Sequence, residues 1–357
     1  MKVGVLTLPL HTNYGGILQA FALQTILNQF GLDAEIISVK DWRPNGKKSF
    51  FLKSIVIEVY FFLKSIRKPQ KDAKLRMFVD KHVCLRKYDR FYDIKEKDFD
   101  AIIVGSDQIW RKLFIPKYEN VFLDFTKGWK NIKRISYAAS FGTGQLECDE
   151  GVLKACVPLL KLFNAVSVRE SSGVELCINK FGVNAMETLD PTMLFSCNRY
   201  MTLFQFSIDP SKKYVLCNVL DESEKAIPLA KALSEEKMRE LRIFLPEKSK
   251  DALPSIGNWI KNIAEASFVI TDSFHVTVFS ILFRRPFIVI KNDLAGNTRI
   301  ESLLAKLNLM DHQLTDYIKL KDAVEYCKKV DAPSDDTYSL LNKLRSESIA
   351  FLKNALK

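Results

Sequence analysis

The stretch TDSFH, residues 271–275, follows the apolar run SFVI and precedes VTVFSILFRRPFIVI. The first run reads as a strand and the second opens as a helix. Asp272 and Ser273 then stand where a helix is capped, and His275 falls in its first turn. Backbone N–H groups, the helix dipole and an imidazole face one spot, which suits an anion and a proton donor. The same residues also fit a partly buried histidine bonded to a backbone carbonyl. The chain has four histidines, so this placement is the starting point for any chemistry.

Other strand ends carry further candidates. In HTNYGGILQAFALQ, residues Asn13, Tyr14, Gly15 and Gly16 form the turn from a first strand into a helix. Adjacent glycines either let a backbone approach a ligand closely or serve a tight turn with positive φ. The spacing is not GxGxxG, so no dinucleotide site follows. DAIIVGSDQIW ends its strand with Gly105, Ser106, Asp107 and Gln108, and Asp107 reads as a base at the ligand end or as a helix cap. AVSVRE delivers Arg169 and Glu170, either a fork for carboxylate or phosphate or a structural pair. LDPTMLF puts Asp190 and Pro191 at another strand end, where a turn is the plain reading. GNTRIESLL opens a helix with Arg299 in its first turn; a cation is unfavourable there, which marks it as a ligand binder. Arg284 and Arg285, before Pro286, read as a solvated turn.

These turns must be held by sheets. Short β-branched runs (KVGVLTL, AEIISV, DAIIVGS, RISYAAS, AVSVRE, KYVLCNV, LRIFLP, SFVITD and PFIVIK) alternate with helical patterns such as GILQAFALQTILNQF, ESEKAIPLAKALSEEK and HVTVFSILF. Strands apolar throughout, separated by helices, predict parallel sheets covered on both faces. The expected architecture is α/β, two Rossmann-like doubly wound domains facing a cleft. The first domain spans 1–200 and the second 201–357, the latter closing with a C-terminal helix over SDDTYSLLNKLRSESIAFLKNALK. A linker is expected from about Ser196 to Lys213.

Composition narrows the function. At 357 residues and 47% hydrophobic, the chain suits two globular domains. Seven cysteines, odd in number and never spaced CxxC, read as reduced thiols in a cytoplasmic protein. No metal-ligand spacing is present; the D-x-D string Asp98-Phe99-Asp100 lies at the start of its strand, away from a cleft. The N-terminus reads as a strand rather than an export signal. Between Lys40 and Arg90 there are fifteen Lys or Arg against five Asp or Glu, a local +10 within a net +11. This is one basic surface, not a general nucleic-acid binder. Within the basic helical segment 47–90, SFFLKSIVIEVYFFLKSIRK places Lys53, Ser54, Glu58, Lys64, Ser65 and Lys68 on one side of an amphipathic helix. It either packs on the core or rests on an anionic membrane face.

Taken in order, NYGGILQAFALQ, IIVGSDQIW, SYAASFG, VSVRESSG, LDPTMLF, TDSFHVTVFSILFRRPF and RIESLL resemble the polysaccharide pyruvyl transferase family, from residue 13 to about 305. The resemblance implies a fold similar to B-type glycosyltransferases and the transfer of pyruvate from phosphoenolpyruvate onto sugar hydroxyls, usually as a ketal. It implies phosphoenolpyruvate as co-substrate, no other cofactor and no metal. The acceptor would be a surface polysaccharide or its lipid-linked precursor, reached from the cytoplasm at the inner membrane face. Two positions depart from the family: Arg111 stands where Asn is common, and Ser273 and Phe274 stand where some branches carry Arg-Leu before the histidine. Donor charge then falls to Arg169 or Arg299, with Asp272 and Ser273 beside them. His275 is implied to bind the phosphate or to act as the acid, Asp107 to act as the base, and Asn13, Tyr14, Gly15, Gly16, Ser106 and Gln108 to form an acceptor or backbone cradle. A nucleotide-sugar glycosyltransferase or a non-catalytic glycan-binding relative are the rival readings.

Overall fold

The computed structural model describes residues 1–40, 42, 71–221, 223–246, 248–249, 251–292, 297–314 and 319–357. All nine apolar runs form strands. Strands β1 (Lys2–Leu6), β2 (Asp33–Val39), β3 (Leu85–Tyr88), β4 (Ala101–Val104), β5 (Lys133–Ala139), β6 (Ala165–Val168) and β7 (Met186–Glu187) make one sheet, ordered β3-β2-β1-β4-β5-β6-β7. Strands β8 (Tyr214–Asn218), β9 (Glu240–Phe244), β10 (Phe268–Thr271), β11 (Phe287–Ile290) and β12 (Gln313–Leu314) make a second, ordered β12-β11-β10-β8-β9. The strand pairings are parallel in both sheets. Every residue of β4 and of β11 is buried, as a sheet covered on both faces requires.

The covering helices are α1 (Tyr14–Gln29), α2 (Ala73–His82), α3 (Glu150–Leu160), α4 (Ser171–Leu176), α5 (Cys197–Phe204), α6 (Ser223–Glu236), α7 (Ile256–Ala264), α8 (Phe274–Leu282), α9 (Thr298–Lys306), α10 (Leu320–Lys328) and α11 (Asp335–Leu356). In each sheet the strand order reverses once, between β1 and β4 and between β8 and β10. The crevice outside the strand ends at such a reversal is where ligands bind in open α/β sheets. The two reversals therefore name the loops that matter: 7–16 and 105–110 in the first lobe, 219–221 and 272–275 in the second.

The lobes share one apolar core, in which α1 packs near α7 and α8. Every residue of α8 is buried, and α1 is buried over most of its length. A helix apolar all round needs cover on all sides, and here each helix lies between its own sheet and the other lobe. Tyr14 stacks on Trp259 at 4.9 Å between ring centroids and donates to the Pro254 carbonyl at 2.8 Å. Lys71 donates to the Pro246 carbonyl at 2.9 Å.

Two expectations need revision. The stretch expected as a linker contains α5, capped by the Ser196 side chain, because Tyr200 is fully buried between Phe195 and Phe279. Helix α11, assigned with the second domain, runs back onto the first. Its start holds the second lobe, with Tyr338 donating to the Ile281 carbonyl at 2.7 Å. Its later turns hold the first: Arg345 donates to the Met193 carbonyl at 2.8 Å, and Ser348 accepts from the Leu189 N–H at 3.0 Å. In the basic segment, residues 47–70 lie outside the described residues; the rest forms α2 and β3.

Candidate active site

The loop after β4 is built by close packing. Gly105 has φ 126°, and a Cβ there would fall 2.1 Å from the Tyr137 carbonyl oxygen. Asp107 follows with φ 65°, a left-handed conformation that Asp tolerates better than bulkier residues but still at a cost. It is held there by its neighbours: the Ser140 N–H donates to the Asp107 carbonyl at 2.9 Å, and the Trp110 N–H to the Ser140 carbonyl at 3.0 Å. Such held strain points to function. The turn aims the Asp107 carboxylate at Arg169, which follows β6, with Nη2 to Oδ1 3.2 Å.

Asp190, after β7, is the second partner of Arg169. Its Oδ2 accepts from Arg169 Nη1 at 2.6 Å and from Ser106 Oγ at 3.1 Å. Its Oδ1 accepts from the Thr192 N–H at 2.9 Å and from Thr192 Oγ1 at 2.6 Å. From the second lobe, His275 Nε2 lies 3.7 Å from the same Oδ2, an ion-pair distance rather than a hydrogen bond. Arg299 Nη1 lies 4.0 Å from Asp107 Oδ1. Both guanidiniums sit over the Phe274 ring, Arg169 at 4.3 Å and Arg299 at 5.8 Å from its centroid, a cation–π arrangement. Arg169, Asp107, Asp190, Arg299 and His275 are each more than nine-tenths buried.

Burial at this depth makes the charges strongly interdependent. For Asp190, burial works to raise the carboxyl, yet His275, Arg169 and Thr192 outweigh it and hold it well below the usual carboxylate range. Asp107 behaves likewise: burial opposes, but Arg169, His275 and Arg299 win and lower it. Burial, then the like charge of Arg169, pull the Arg299 guanidinium down to about 10. Glu170 is raised, chiefly by burial, although Ser140 Oγ donates to it at 3.0 Å and the Phe141 N–H at 2.8 Å. Two buried guanidiniums therefore press on each other, and a bound anion would relieve that repulsion.

The remaining candidates divide. Gly15 gives up its side-chain space to the imidazole: a Cβ there would fall 1.8 Å from His275 Nδ1. The expected ligand approach at Gly15 is thus an approach by the other lobe. Asn13 caps α1, accepting from the Gly16 N–H at 3.1 Å, while Tyr14 is an inter-lobe anchor. Ser106 is drawn into the cluster through Asp190. Gln108 stands aside, accepting from Arg111 Nη1 at 3.1 Å, with Arg111 also paired to Glu147 at 3.3 Å. Asp272 is spent locally: Oδ1 accepts from the Leu220 N–H at 2.7 Å, and Oδ2 from the Asp221 N–H at 2.9 Å and Asn292 Nδ2 at 3.0 Å. Ser273 occupies the N-cap position of α8, but its side chain makes no capping bond. Glu170 does not pair with Arg169; it ties down the loop after β5. Arg284 pairs with Asp335 at 2.6 Å, across from α8 to α11.

The reading from sequence passed over Asp190 as a turn and gave Phe274 no role. The signal for Asp190 was its place after a strand end; nothing in the residue string marks Phe274. Among the described residues no group of three or more His, Cys, Asp or Glu is arranged to hold a metal ion, and no helix is long and apolar enough to cross a membrane. A cavity of about 10 Å³ borders Arg169, Asp190 and Phe274, room for about one water molecule. A larger groove of about 630 Å³ lies at the opposite strand ends, beside Lys133 and Phe351.

Comparison with known proteins agrees with this layout. A family model described as polysaccharide pyruvyl transferase matches residues 13–293. No curated protein matches the chain by sequence. In fold the chain is similar to the UDP-GlcNAc 2-epimerase from Neisseria meningitidis bound to UDP-GlcNAc, with 10% identity and a TM-score of 0.53 over 99% of this chain and 100% of that one. It is similar as well to a UDP-N-acetylglucosamine 2-epimerase from Rickettsia bellii, with 10% identity and a TM-score of 0.52 over 99% and 96%. An S. aureus TarM mutant in complex with Fondaparinux, alpha-GlcNAc-glycerol and UDP gives 9% identity and a TM-score of 0.51 over 98% and 96%. The two-sheet architecture is that of B-type glycosyltransferases.

Proposed function

Since the chain belongs to the polysaccharide pyruvyl transferase family, we propose that it moves pyruvate from phosphoenolpyruvate onto two hydroxyls of a sugar in a surface polysaccharide or its lipid-linked precursor, forming a ketal. One observation carries this reading. Arg169 from the first lobe and Arg299 from the second lie over one aromatic ring, with His275 of the same helix turn beside them. A small, highly charged donor needs cations for its carboxylate and phosphate and an acid for its double bond. The cluster offers both at the carboxyl ends of parallel strands.

In the proposed reaction His275 gives a proton to C3 of the enol, which makes C2 electrophilic. The first sugar hydroxyl bonds to C2 while Asp107 takes its proton. The C2–O bond to phosphate then breaks, and the second hydroxyl closes the ketal, its proton leaving with phosphate. Arg169 and Arg299 hold the negative charge throughout.

The test is release of inorganic phosphate from phosphoenolpyruvate, with a panel of polysaccharide and lipid-linked acceptors. Release is expected with one of them, and His275→Ala should lower it on the order of 10²-fold. No release with any acceptor, together with no thermal shift by phosphoenolpyruvate, would sink the proposal. A nucleotide-sugar donor is the alternative suggested by fold likeness. Against it stands Asp272, whose carboxylate occupies the amides of Leu220 and Asp221 at the reversal between β8 and β10. A thermal shift with UDP-sugars but none with phosphoenolpyruvate would favour the alternative. The basic segment is proposed to hold the enzyme at the inner membrane face. Neutralising Lys64, Arg67 and Lys68 should then release it from anionic vesicles, and unchanged binding would refute the contact.

A further inference from the structure

We propose that Asp190 is a positioning residue: it fixes the His275 imidazole with Nε2 protonated and leaves Nδ1 as the nitrogen that exchanges protons with the reacting carbon. The reaction step rests on the pyruvyl-transfer reading; the ring assignment rests on geometry alone.

The carboxylate is immobilised before it meets the ring. Arg169, Ser106, the Thr192 N–H and the Thr192 hydroxyl all donate to it, so its orientation is set within the first lobe. An ionised carboxylate accepts and cannot donate. The ring nitrogen that faces it must therefore carry the hydrogen, and that nitrogen is Nε2, 3.7 Å from Oδ2. Among the described residues Nε2 has no hydrogen-bond partner although it is buried, which leaves it available to Asp190. Separations of this size tighten when a site closes on its substrate. The other edge of the ring is fixed too. Nδ1 lies along the Gly15 backbone, in space that only a missing side chain leaves open. Phe274 packs edge-on to the ring at 5.2 Å. The charged groups around the imidazole are Asp190, Asp107 and Arg169 from the first lobe, with Arg299 beyond Asp107.

The step balances on this assignment. The imidazolium loses its Nδ1 proton to C3, a C–H bond forms, and the ring remains neutral with Nε2–H toward Asp190. Asp107 takes the hydroxyl proton as the C2–O bond forms, and phosphate departs with the electrons of its bond to C2. Because Asp190 belongs to the first lobe and His275 to the second, the acid acquires its orientation when the two lobes are together.

The assignment is read from ¹⁵N resonances of the full chain labelled at histidine, followed through a pH series to its alkaline plateau. The signal that vanishes in His275→Gln identifies the residue. The wild type should show a protonated Nε2 and a bare Nδ1. Asp190→Ala should mix the two ring forms and lower phosphate release at least about tenfold. Thr192→Val, which removes one donor to the far oxygen but keeps the carboxylate, should retain the Nε2–H form. A bare Nε2 in the wild type overturns the proposal whether or not Asp190→Ala folds. An unchanged ring form in folded Asp190→Ala overturns it as well. Absence of phosphate release by the wild type would instead remove the pyruvyl-transfer reading and leave the ring assignment standing.

Discussion

Two turns occupy equivalent places in the molecule and are used in opposite ways. Each follows a central parallel strand at the point where its sheet reverses order, and each carries a buried aspartate. Asp107, after β4, spends its carboxylate on the guanidinium of Arg169 and lies near that of Arg299. Asp272, after β10, spends its own on backbone amides of the neighbouring loop and on Asn292. The first arrangement leaves charge where a substrate would meet it. The second consumes charge to hold a loop. Position in the topology therefore identifies where a ligand can bind, and the partners decide which of two similar residues is available to it.

The contrast can be broken most sharply at Arg169. Replacing it with Leu leaves Asp107 and Asp190 buried without their cation, and should cost about 3–5 kcal/mol by denaturant unfolding. A loss under 1 kcal/mol would mean the cluster is not the buried network described. Asp107→Asn should lower turnover by about 10²-fold or more while the protein stays folded. Unchanged turnover there removes Asp107 as base. Asp272→Ala should do the reverse: stability falls by about 1–3 kcal/mol because two amides lose their acceptor, and turnover per folded molecule holds. If turnover collapses in a fully folded Asp272→Ala, the two turns are not distinct. Gly15→Ala drives a methyl into the His275 ring and should cost about 1–3 kcal/mol, with turnover lost alongside; a neutral result would show that the lobes do not meet as described.

Acidification gives the smallest effect. Asp107 and Asp190 both titrate lower in the folded chain than in the unfolded one. Their contribution is full above the ordinary carboxylate range, near pH 4, and is lost as pH falls below it, because the unfolded chain takes up protons first. Glu170, raised by burial, acts with the opposite sign. Thermal melts from neutral to acid pH should therefore be flatter in Asp190→Asn than in the wild type, and equal slopes would contradict the depressed carboxyl.

Much of this was legible in the residues, because apolar parallel strands advertise themselves. The strands that escaped notice are at the edges: β3 is Leu-Arg-Lys-Tyr, and β7 and β12 are two residues each. Edge strands need little apolar character and are kept short or charged. Helix α5 was hidden because it is only eight residues long and its buried Tyr200 packs on Phe279, distant in sequence. Arg169, Asp107, His275 and Arg299 were singled out by residue type and place, and the structure brings them together. Asp190 was not, since Asp-Pro reads locally as a turn and its importance lies in partners from three other loops. Gly15 was expected to admit a ligand or serve a tight turn, whereas the group that approaches it is the His275 side chain of the same molecule.

Helix α11 begins against one lobe and ends against the other. The polypeptide thus passes between the lobes twice, once near α5 and once on the way into α11. Two tethers restrain motion more than one does: the lobes can swing about the line joining the crossings but cannot slide apart freely. A single cleavage between the sheets would not yield two self-contained halves, since the amino-terminal fragment would lose its carboxy-terminal brace.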